Sequence, residues 1–393
     1  MRPLSLFRHF RALRSTPARA VAHRAATLLP DYLWGDGSSR ALVNVTLEVT
    51  YRCNIECEFC FLKDSVLNER RDEMTVAEIA RLADQAREYG ASFFITGGEP
   101  FLRRDLHEIV AAIHARGLKV GVNTNGLLVD KAATARILDA GLDYAIFSLH
   151  GPPDVHDCLE RRPGAFAIVL ENLRRFAARK GRTRVLANCV IARESSARIS
   201  ELPALLEGIA IDGLTFQHET FLTAEEVASH RVVWETLFPG RSLPMVYQSS
   251  GYERRDMAAL EDQVSRIESQ PPGAFPILWK PELPPDRLSD WYGGDMKVKG
   301  RCLYIWTDTR VEPDGRVNAC QVMPAIMGNV RDTPLREILN NQAYRDFRAQ
   351  NRAAGGVFPA CARCCKLYRN PVNFTAREPA WQTWQSPVPS PSS

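Results

Sequence analysis

Three cysteines, Cys53, Cys57 and Cys60, stand within eight residues of one another. Their Cys-x3-Cys-x2-Cys spacing lets one loop carry three thiolates to three corners of a cubane iron–sulfur cluster. The fourth iron would then lack a protein ligand, which is the open position that a catalytic metal site requires. A zinc knuckle is the alternative, but it would need a fourth ligand nearby, and neither Cys nor His occurs between Cys60 and His107. The spacing therefore favours an iron–sulfur cluster.

A second group of cysteines lies in the last quarter of the chain. Between two of them, residues 311–317 contain an Asp-Gly pair that predicts a β-hairpin, which would bring Cys302 and Cys320 together. The group therefore indicates a second metal site. Zinc and iron are both held by such thiolates, so a structural zinc site is the alternative to a second iron–sulfur cluster. The five members are Cys302, Cys320, Cys361, Cys364 and Cys365.

The composition is typical of a folded protein with a large buried core. Of the 393 residues, 45% are hydrophobic and 24% are charged. The formal net charge of +4 is too small to predict nucleic-acid binding. No stretch approaches the roughly 18 uninterrupted apolar residues of a membrane span, and the N-terminal residues lack a secretory signal pattern. The reducing cytosol disfavours structural disulfides, so ten cysteines in a chain without such a signal predict a cytoplasmic protein with metal or redox chemistry.

The elements that position the first cysteine group repeat between residues 43 and 221. Each unit is a strand-like run, an amphipathic helix and a glycine. The first strand alternates apolar and polar side chains, so one face packs and the other meets a polar interior. Thr75 and Glu78 predict a capping box for the following helix, and Gly90 is placed to end it. The predicted strands are Val43–Val49, Phe93–Ile95, Leu118–Val122, Tyr144–Leu149, Arg184–Val190 and Leu214–His218.

Six strand–helix units predict an α/β fold: a partial (β/α)6 TIM-like barrel of parallel strands with a small C-terminal iron–sulfur domain. A doubly wound open sheet is the alternative. In both folds, ligands bind at the carboxyl ends of the strands. The candidate residues agree with this rule, because Cys53 comes soon after the first strand and Glu99 soon after the second.

The rest of the chain divides around this core of residues 43–221. Residues 1–42 form a basic N-terminal arm, which either packs across the barrel or makes a peripheral contact with an anionic membrane. Residues 222–300 are predicted to be a connecting segment with partial structure. Residues 301–370 are predicted to form the small C-terminal domain, and residues 371–393 a tail with a disordered end.

The cysteine loop and the segment after the second strand together resemble a known family. The Cys-x3-Cys-x2-Cys motif, with Phe59 before its last cysteine, is similar to the signature of the radical S-adenosylmethionine (radical SAM) superfamily. The run Thr96-Gly97-Gly98-Glu99-Pro100 resembles the GGE segment of that superfamily. The resemblance implies that Gly97 and Gly98 let the backbone approach the methionine end of S-adenosylmethionine (SAM). It also implies that Glu99 accepts a hydrogen bond from the amino group of SAM.

Weaker matches to the same family follow the later strands. Thr124 and Asn125 come at the end of the third strand. Ser148 ends the fourth strand, where the family usually offers a serine to the ribose or carboxylate of SAM. Asn188 lies on the fifth strand and is expected near the adenosine. The resemblance thus implies that these four residues complete the SAM site.

The resemblance also implies a radical mechanism. SAM would bind the open iron of a 4Fe-4S cluster, and one electron would cleave its bond between sulfur and C5′. The resulting 5′-deoxyadenosyl radical would remove a hydrogen atom from the substrate. A reductase or a flavodoxin- or ferredoxin-type protein is implied as the electron donor. The alternative from another class is a metal-binding protein without catalytic activity.

The C-terminal cysteines resemble the SPASM/Twitch extension of radical SAM enzymes. The full SPASM version has further cysteines for a second auxiliary cluster, and no cysteine follows Cys365. Cys365 is then a spare thiol or replaces Cys364 as a ligand. A fully ligated auxiliary cluster has no iron free to bind substrate, so it implies electron transfer and net oxidation of the substrate. The ligands that suit one 4Fe-4S cluster of the Twitch type are Cys302, Cys320, Cys361 and Cys364.

Two substrate classes compete. The single-cluster pattern favours a small molecule, such as a sugar, a nucleotide or a lipid-linked compound, whereas many SPASM-bearing relatives modify ribosomally made peptides. The catalytic residues are unknown from the sequence. Candidates for acid–base groups near strand ends are His150, His156, His218 and Glu219. Many relatives have threonine or arginine where this chain has Glu160.

Overall fold

The computed structural model describes residues 28, 30–63, 65–243, 256–271, 273–283, 287–293, 296, 298 and 300–367. Most of the predicted basic arm and the whole of the predicted tail lie outside the described residues. Within the described part of the chain, no helix is both long and apolar enough to cross a membrane.

A ten-stranded, mostly parallel sheet forms the centre of the fold, in the order β10-β9-β8-β1-β2-β3-β4-β5-β6-β7. The six predicted strands are all present, with ends that shift by a few residues at most. Among the described residues, β7 and β10 are the edges of this sheet. The strands are β1 (Asn44–Thr50), β2 (Ser92–Gly97), β3 (Val120–Thr124), β4 (Tyr144–Ser148), β5 (Arg184–Ile191), β6 (Gly213–His218), β7 (Ile277–Lys280), β8 (Asp308–Val311), β9 (Arg316–Asn318) and β10 (Ile326–Asn329).

The strand order distinguishes the two predicted architectures. Strands β1 to β6 are neighbours in chain order, and each pair is parallel. A doubly wound sheet would reverse its strand order at a switch point. The open-sheet alternative is therefore wrong, and the partial barrel of six strand–helix units is confirmed.

Helices cover the sheet between successive strands. The predicted capping box at the start of α1 is present, because Thr75 accepts a hydrogen bond from the Glu78 backbone and the Glu78 carboxylate accepts one from the Thr75 backbone. Gly90 has the predicted left-handed conformation, with φ of 62°. Residues 30–34, before β1, are also helical. The helices are α1 (Val76–Arg87), α2 (Leu106–His114), α3 (Lys131–Asp139), α4 (Pro153–Leu159), α5 (Ala165–Arg179), α6 (Leu202–Leu205), α7 (Ala224–Leu237), α8 (Met257–Ser269), α9 (Leu288–Gly293), α10 (Tyr304–Thr307), α11 (Leu335–Ile338) and α12 (Gln342–Ala353).

The connecting segment contains a strand that the sequence did not predict. β7 pairs in parallel with β6, from Leu214 opposite Ile277 to Gln217 opposite Lys280. The strand has only four residues and is followed by Pro281. A short run in a proline-rich passage is typical of a connection, so its pairing with β6 could not be recognised from the local pattern.

The C-terminal part of the chain extends the same sheet. The predicted hairpin is present as the antiparallel pair β8 and β9, and β10 is antiparallel to β9. β8 also pairs in parallel with β1, with Asn44 opposite Asp308 and Leu47 opposite Val311. The second cysteine group is therefore connected to the first by backbone hydrogen bonds across β1 and β8.

The polar face of β1 meets charged groups from β8. Glu48 is buried and forms an ion pair with the guanidinium of Arg310, which is also buried. Tyr51 donates a hydrogen bond to the other carboxylate oxygen of Glu48, at 3.2 Å. This confirms the polar interior that the alternation of β1 predicted, and it places an ion pair between the two cysteine-bearing parts of the chain.

Arg363, between two cysteines of the second group, anchors that segment to the helices. Its side chain is fully buried, and one of its terminal nitrogens donates to both oxygens of Glu226 on α7, at 2.6 and 2.5 Å. Its Nε donates to the backbone carbonyl of Trp291. The guanidinium carbon lies 4.3 Å from the centre of the Phe221 ring.

We expect Arg363→Met to lower the free energy of unfolding by about 3–5 kcal/mol, because removing one partner leaves the other charge of a desolvated pair uncompensated. Denaturant titration under anaerobic conditions would measure this change. The matched control is Arg345→Met, which removes a solvent-exposed ion pair with Asp36 and should cost less than about 1 kcal/mol. Equal effects of the two substitutions would contradict the anchoring role of Arg363.

Candidate functional site

The first cysteine group lies on the loop that leaves β1. The backbone N–H of Cys53 donates to the side-chain oxygen of Asn68, at 2.8 Å, and the backbone N–H of Asn68 donates to the carbonyl of Tyr51, at 2.8 Å. Asn68 can close the loop in this way because it adopts a left-handed conformation, with φ of 62°. Cys53, Cys57 and Cys60 are all half-buried.

The electrostatics of the three thiols show that they are close together. Burial, with smaller contributions from the charges of Glu99 and Cys60, raises the pKa of Cys53 to about 11. Burial raises the pKa of Cys57 well above its ordinary value, with further contributions from Glu160, Cys60 and Cys53. Three half-buried thiolates whose charges repel one another need a cationic partner. Coordination to a metal supplies one and deprotonates the thiols outright. The donor set therefore fits an iron–sulfur cluster.

Gly97 and Gly98 join the second strand to the cysteine loop. The backbone N–H of Gly98 donates to the carbonyl of Thr50, and that of Glu99 donates to the carbonyl of Arg52, both at 2.8 Å. A Cβ on Gly97 would lie 2.2 Å from the Thr50 carbonyl oxygen, and one on Gly98 would lie 2.2 Å from that of Arg52. Glycine is therefore required at both positions for the two backbones to approach.

Glu99 is the centre of a buried hydrogen-bond network. One carboxylate oxygen accepts from the Phe101 backbone at 2.9 Å and from the Thr124 hydroxyl at 2.8 Å, and the other accepts from the Asn125 backbone at 2.7 Å. The Asn125 amide in turn donates to the side-chain oxygen of Asn54 at 2.7 Å. The structure thus brings Glu99, Thr124 and Asn125 together and connects them to the cysteine loop through Asn54.

Burial and these hydrogen bonds have opposite effects on the ionisation of Glu99. Burial raises the pKa of Glu99 to about 7, while the hydrogen bonds from Phe101, Asn125 and Thr124 oppose the rise. The negative charge of Glu160 also raises it. An ionised carboxylate has about four acceptor positions, and three are occupied by the protein. One acceptor position of Glu99 remains for a ligand.

Ser148 and Asn188 are adjacent on β4 and β5. They are paired in register, so both side chains lie on the same face of the sheet. The opposite face carries Phe147, whose ring packs edge-on against Phe176 of α5, with centroids 5.3 Å apart. Ser148 and Asn188 therefore point away from the helix layer, and both are half-buried.

The other acid–base candidates are in different surroundings. His218 is buried and its Nδ1 lies 2.9 Å from the Tyr292 hydroxyl, while the Glu219 carbonyl accepts from the Trp291 indole. His218 is therefore packed beside Tyr292, and the Glu219 backbone holds the Trp291 indole. By contrast, His150 and His156 lie beside Glu160 near the first cysteine group.

The second cysteine group is more deeply buried than the first. Cys302, Cys320 and Cys361 are buried, and Cys364 is half-buried. The backbone N–H groups of Tyr304 and Ile305 are directed to the sulfur of Cys302. Those of Val322 and Met323 are directed to the sulfur of Cys320. Such hydrogen bonds to sulfur are among the interactions that tune iron–sulfur clusters.

Four of these thiols affect one another. Burial raises the pKa of Cys361 well above its ordinary value, and the charges of Cys302, Cys364 and Cys320 raise it further. Burial likewise raises the pKa of Cys364, with contributions from Cys365, Cys320 and Cys302. Across the described ranges, no three His, Cys, Asp or Glu side chains are grouped as a site for a single metal ion.

Asn54, Arg310 and Glu160 were not predicted as parts of the site. Asn54 lies within the cysteine motif, so its position alone could have suggested a supporting role. Arg310 is far from the first cysteines in sequence, and its proximity to Glu48 depends on the β1–β8 pairing. The sequence showed Glu160 only as a departure from the family pattern.

Two family models match the chain. The model of the radical SAM superfamily matches residues 47–200, and SPASM, an iron–sulfur cluster-binding domain, matches residues 302–365. Together they cover the two cysteine groups and the Glu99 network.

Relatives of known activity align over nearly the whole chain. The Fe-coproporphyrin III synthase of Methanosarcina barkeri (strain Fusaro) is 24% identical over 93% of this chain and 91% of that protein. The AdoMet-dependent heme synthase of Nitratidesulfovibrio vulgaris is also 24% identical, over 92% of this chain and 96% of that protein.

Solved structures share the fold. Streptococcus suis SuiB bound to S-adenosylmethionine has a TM-score of 0.59 and 17% identity, covering 84% of this chain and 72% of that chain. The enzyme anSMEcpe with bound AdoMet has a TM-score of 0.53 and 15% identity, covering 78% of this chain and 83% of that chain. With its cysteine loop, its GGE segment and its two family domains, the chain belongs to the radical SAM superfamily and is a radical SAM enzyme with a C-terminal SPASM domain, a 4Fe-4S cluster and SAM as cofactors.

Proposed function

We propose that Cys53, Cys57 and Cys60 hold a 4Fe-4S cluster with one open iron, at which SAM is reductively cleaved. When bound, the cluster and SAM supply a 5′-deoxyadenosyl radical that abstracts a hydrogen atom from the substrate. The observation that carries this proposal is the connection of the cysteine loop to Glu99 through Asn54 and Asn125.

The network around Glu99 gives each side chain a task in binding SAM. Hydrogen bonds from the Thr124 hydroxyl and from the backbone N–H groups of Asn125 and Phe101 fix the orientation of the Glu99 carboxylate. Its remaining acceptor position therefore points in a single direction. That position would accept a hydrogen bond from the amino group of SAM. Ser148 and Asn188, adjacent on the interior face, would contact the ribose, the carboxylate or the adenosine.

The second cysteine group would hold one auxiliary 4Fe-4S cluster through Cys302, Cys320, Cys361 and Cys364. The mutual effects of these thiols on their pKa values support this set. The charge of Cys364 is among those that raise the pKa of Cys361, which favours Cys364 as the ligand. With four protein ligands the cluster would accept an electron from the substrate radical, so the reaction would be a net oxidation.

The proposed substrate is a small molecule, and among small molecules we favour a tetrapyrrole with carboxylate side chains over a sugar, a nucleotide or a lipid-linked compound. The support is the nearly full-length similarity to a Fe-coproporphyrin III synthase and to an AdoMet-dependent heme synthase. A reductase or a flavodoxin- or ferredoxin-type protein would supply the electron. The thiol chemistry requires reducing conditions, so we also propose a cytoplasmic location.

The substrate class is tested by incubating the reconstituted, reduced enzyme and SAM anaerobically with iron tetrapyrroles that carry carboxylate side chains, a nucleotide sugar or a synthetic peptide. We expect only the tetrapyrrole to be converted, to a product at a higher oxidation level, as measured by mass spectrometry. Conversion of the peptide alone would instead establish a peptide maturase. A product with an unchanged oxidation level would contradict the proposed role of the second cluster.

Replacing Cys53, Cys57 and Cys60 together with Ala should lower the iron content from about eight to about four atoms per chain, because only one of two cubane clusters loses its ligands. Iron analysis and the visible absorption band of the remaining cluster would measure this. Cys158→Ala is the control, since that thiol is exposed and belongs to neither group. Complete loss of iron in a folded triple variant would contradict two independent clusters.

We expect Glu99→Gln to weaken SAM binding by roughly tenfold or more, because a hydrogen bond to a charged group contributes about 1.5–3 kcal/mol. Calorimetric titration of the reconstituted protein with SAM measures the dissociation constant. Glu108→Gln, at an exposed position on α2, is the matched control and should bind SAM as the native protein does. Unchanged affinity in a folded Glu99→Gln variant would exclude Glu99 from the SAM site.

A further inference from the structure

Glu160 lies at the C-terminal end of α4, where the chain contacts the cysteine loop. The backbone N–H of Glu58 donates to the carbonyl of Leu159, at 3.0 Å. The Arg161 guanidinium forms an ion pair with the Glu58 carboxylate. Glu160 itself is buried, with only 1% of its surface exposed. Its two neighbours in sequence thus hold it against the segment between Cys57 and Cys60.

Two backbone hydrogen bonds fix the tautomers of the histidines beside Glu160. The backbone N–H of Val190 donates to Nδ1 of His150, and that of His150 donates to Nδ1 of His156, both at 3.1 Å. A ring nitrogen that accepts a hydrogen bond carries no proton, so each neutral imidazole has its proton on Nε2. Burial holds the pKa of His150 well below its ordinary value, so His150 stays neutral.

Both Nε2–H groups face the Glu160 carboxylate. The Nε2 of His156 lies 3.4 Å from one oxygen, and the Nε2 of His150 lies 4.0 Å from the other. Within the described part of the chain, neither oxygen has a hydrogen-bond partner. The two Nε2–H groups are placed to donate to the carboxylate oxygens, and an ionised carboxylate can only accept hydrogen bonds.

The carboxylate lies close to the first cysteine group. After burial itself, the charge of Glu160 contributes most to the raised pKa of Cys57, and it also raises the pKa of Glu99. The ring of His150 packs edge-on against Phe59, with centroids 4.7 Å apart. The Glu160 carboxylate is therefore buried near Cys57 and Glu99, where water would screen its charge little.

We propose that Glu160, positioned by His150 and His156, lowers the reduction potential of the cluster held by Cys53, Cys57 and Cys60. An electron added to the cluster is repelled by a fixed negative charge nearby, so the oxidised cluster is favoured. A cluster with a lower potential is a stronger reductant. This inference rests on the proposed function, because it requires a cluster at these three cysteines.

The test is an anaerobic redox titration of the reconstituted full-length protein, followed by electron paramagnetic resonance. The signal that changes when SAM is added identifies the cluster with the open iron. In Glu160→Gln we expect the ratio of reduced to oxidised cluster at a fixed solution potential to rise about tenfold, a shift of about 59 mV to less negative potential for one electron. Glu160→Asp keeps the charge and should stay closer to the native value.

Glu56→Gln is the matched control, because it removes an exposed carboxylate from the same loop. Solvent screens that charge, so the ratio should change less than about twofold. If Glu160→Gln does not fold, His156→Phe removes one donor to the carboxylate and should shift the potential in the same direction.

The possible results separate the two claims. A native protein without a SAM-responsive cluster would refute the proposed function. A responsive cluster whose potential is the same in native protein and Glu160→Gln would refute the inference alone. An equal shift in Glu56→Gln would also refute it, because the effect would not then depend on a buried charge.

Discussion

The site depends on the close approach of two backbones at the carboxyl ends of β1 and β2. Hydrogen bonds continue past both strands, from Gly98 to Thr50 and from Glu99 to Arg52. A Cβ at position 97 or 98 would collide with a carbonyl oxygen across this junction. The glycines thus fix the cysteine loop against Glu99 before any cofactor binds. The preorganisation extends to Asn54 and Asn125, whose hydrogen bond connects the loop to β3.

The second constraint is the pairing of β1 with β8, which connects the two cysteine groups through the sheet. Arg310, on β8, pairs with Glu48 and lies 6.0 Å from the centre of the Phe61 ring, next to the first group. Burial raises the pKa of Cys320, in the second group, and the Arg310 charge opposes this rise. The buried Arg310 guanidinium therefore pairs with Glu48 on β1 and also affects the pKa of Cys320 in the second cysteine group.

The residues that could be predicted from the sequence are those whose roles depend on local spacing. The six strands, the Thr75 capping box, the hairpin between Cys302 and Cys320, and the cysteine loop all follow from periodicity or turn chemistry. β7 could not be predicted, because four residues between prolines have no pattern of their own until β6 pairs with them. The ion pair between Glu48 and Arg310 depends on a parallel pairing across 262 residues. The surroundings of Glu160 could not be predicted either, because they depend on the tautomers of His150 and His156. Backbone hydrogen bonds from other elements determine those tautomers.

The central claim is that the three cysteines on the loop after β1 create an open iron at which SAM is cleaved. The most direct measurement is the amount of 5′-deoxyadenosine that the reduced, iron-reconstituted protein forms from SAM under anaerobic conditions. The account predicts 5′-deoxyadenosine from the native protein and none when any of the three cysteines is replaced by alanine. A reduced protein that contains its full iron and forms none, or a cysteine variant that still forms it, would contradict the account.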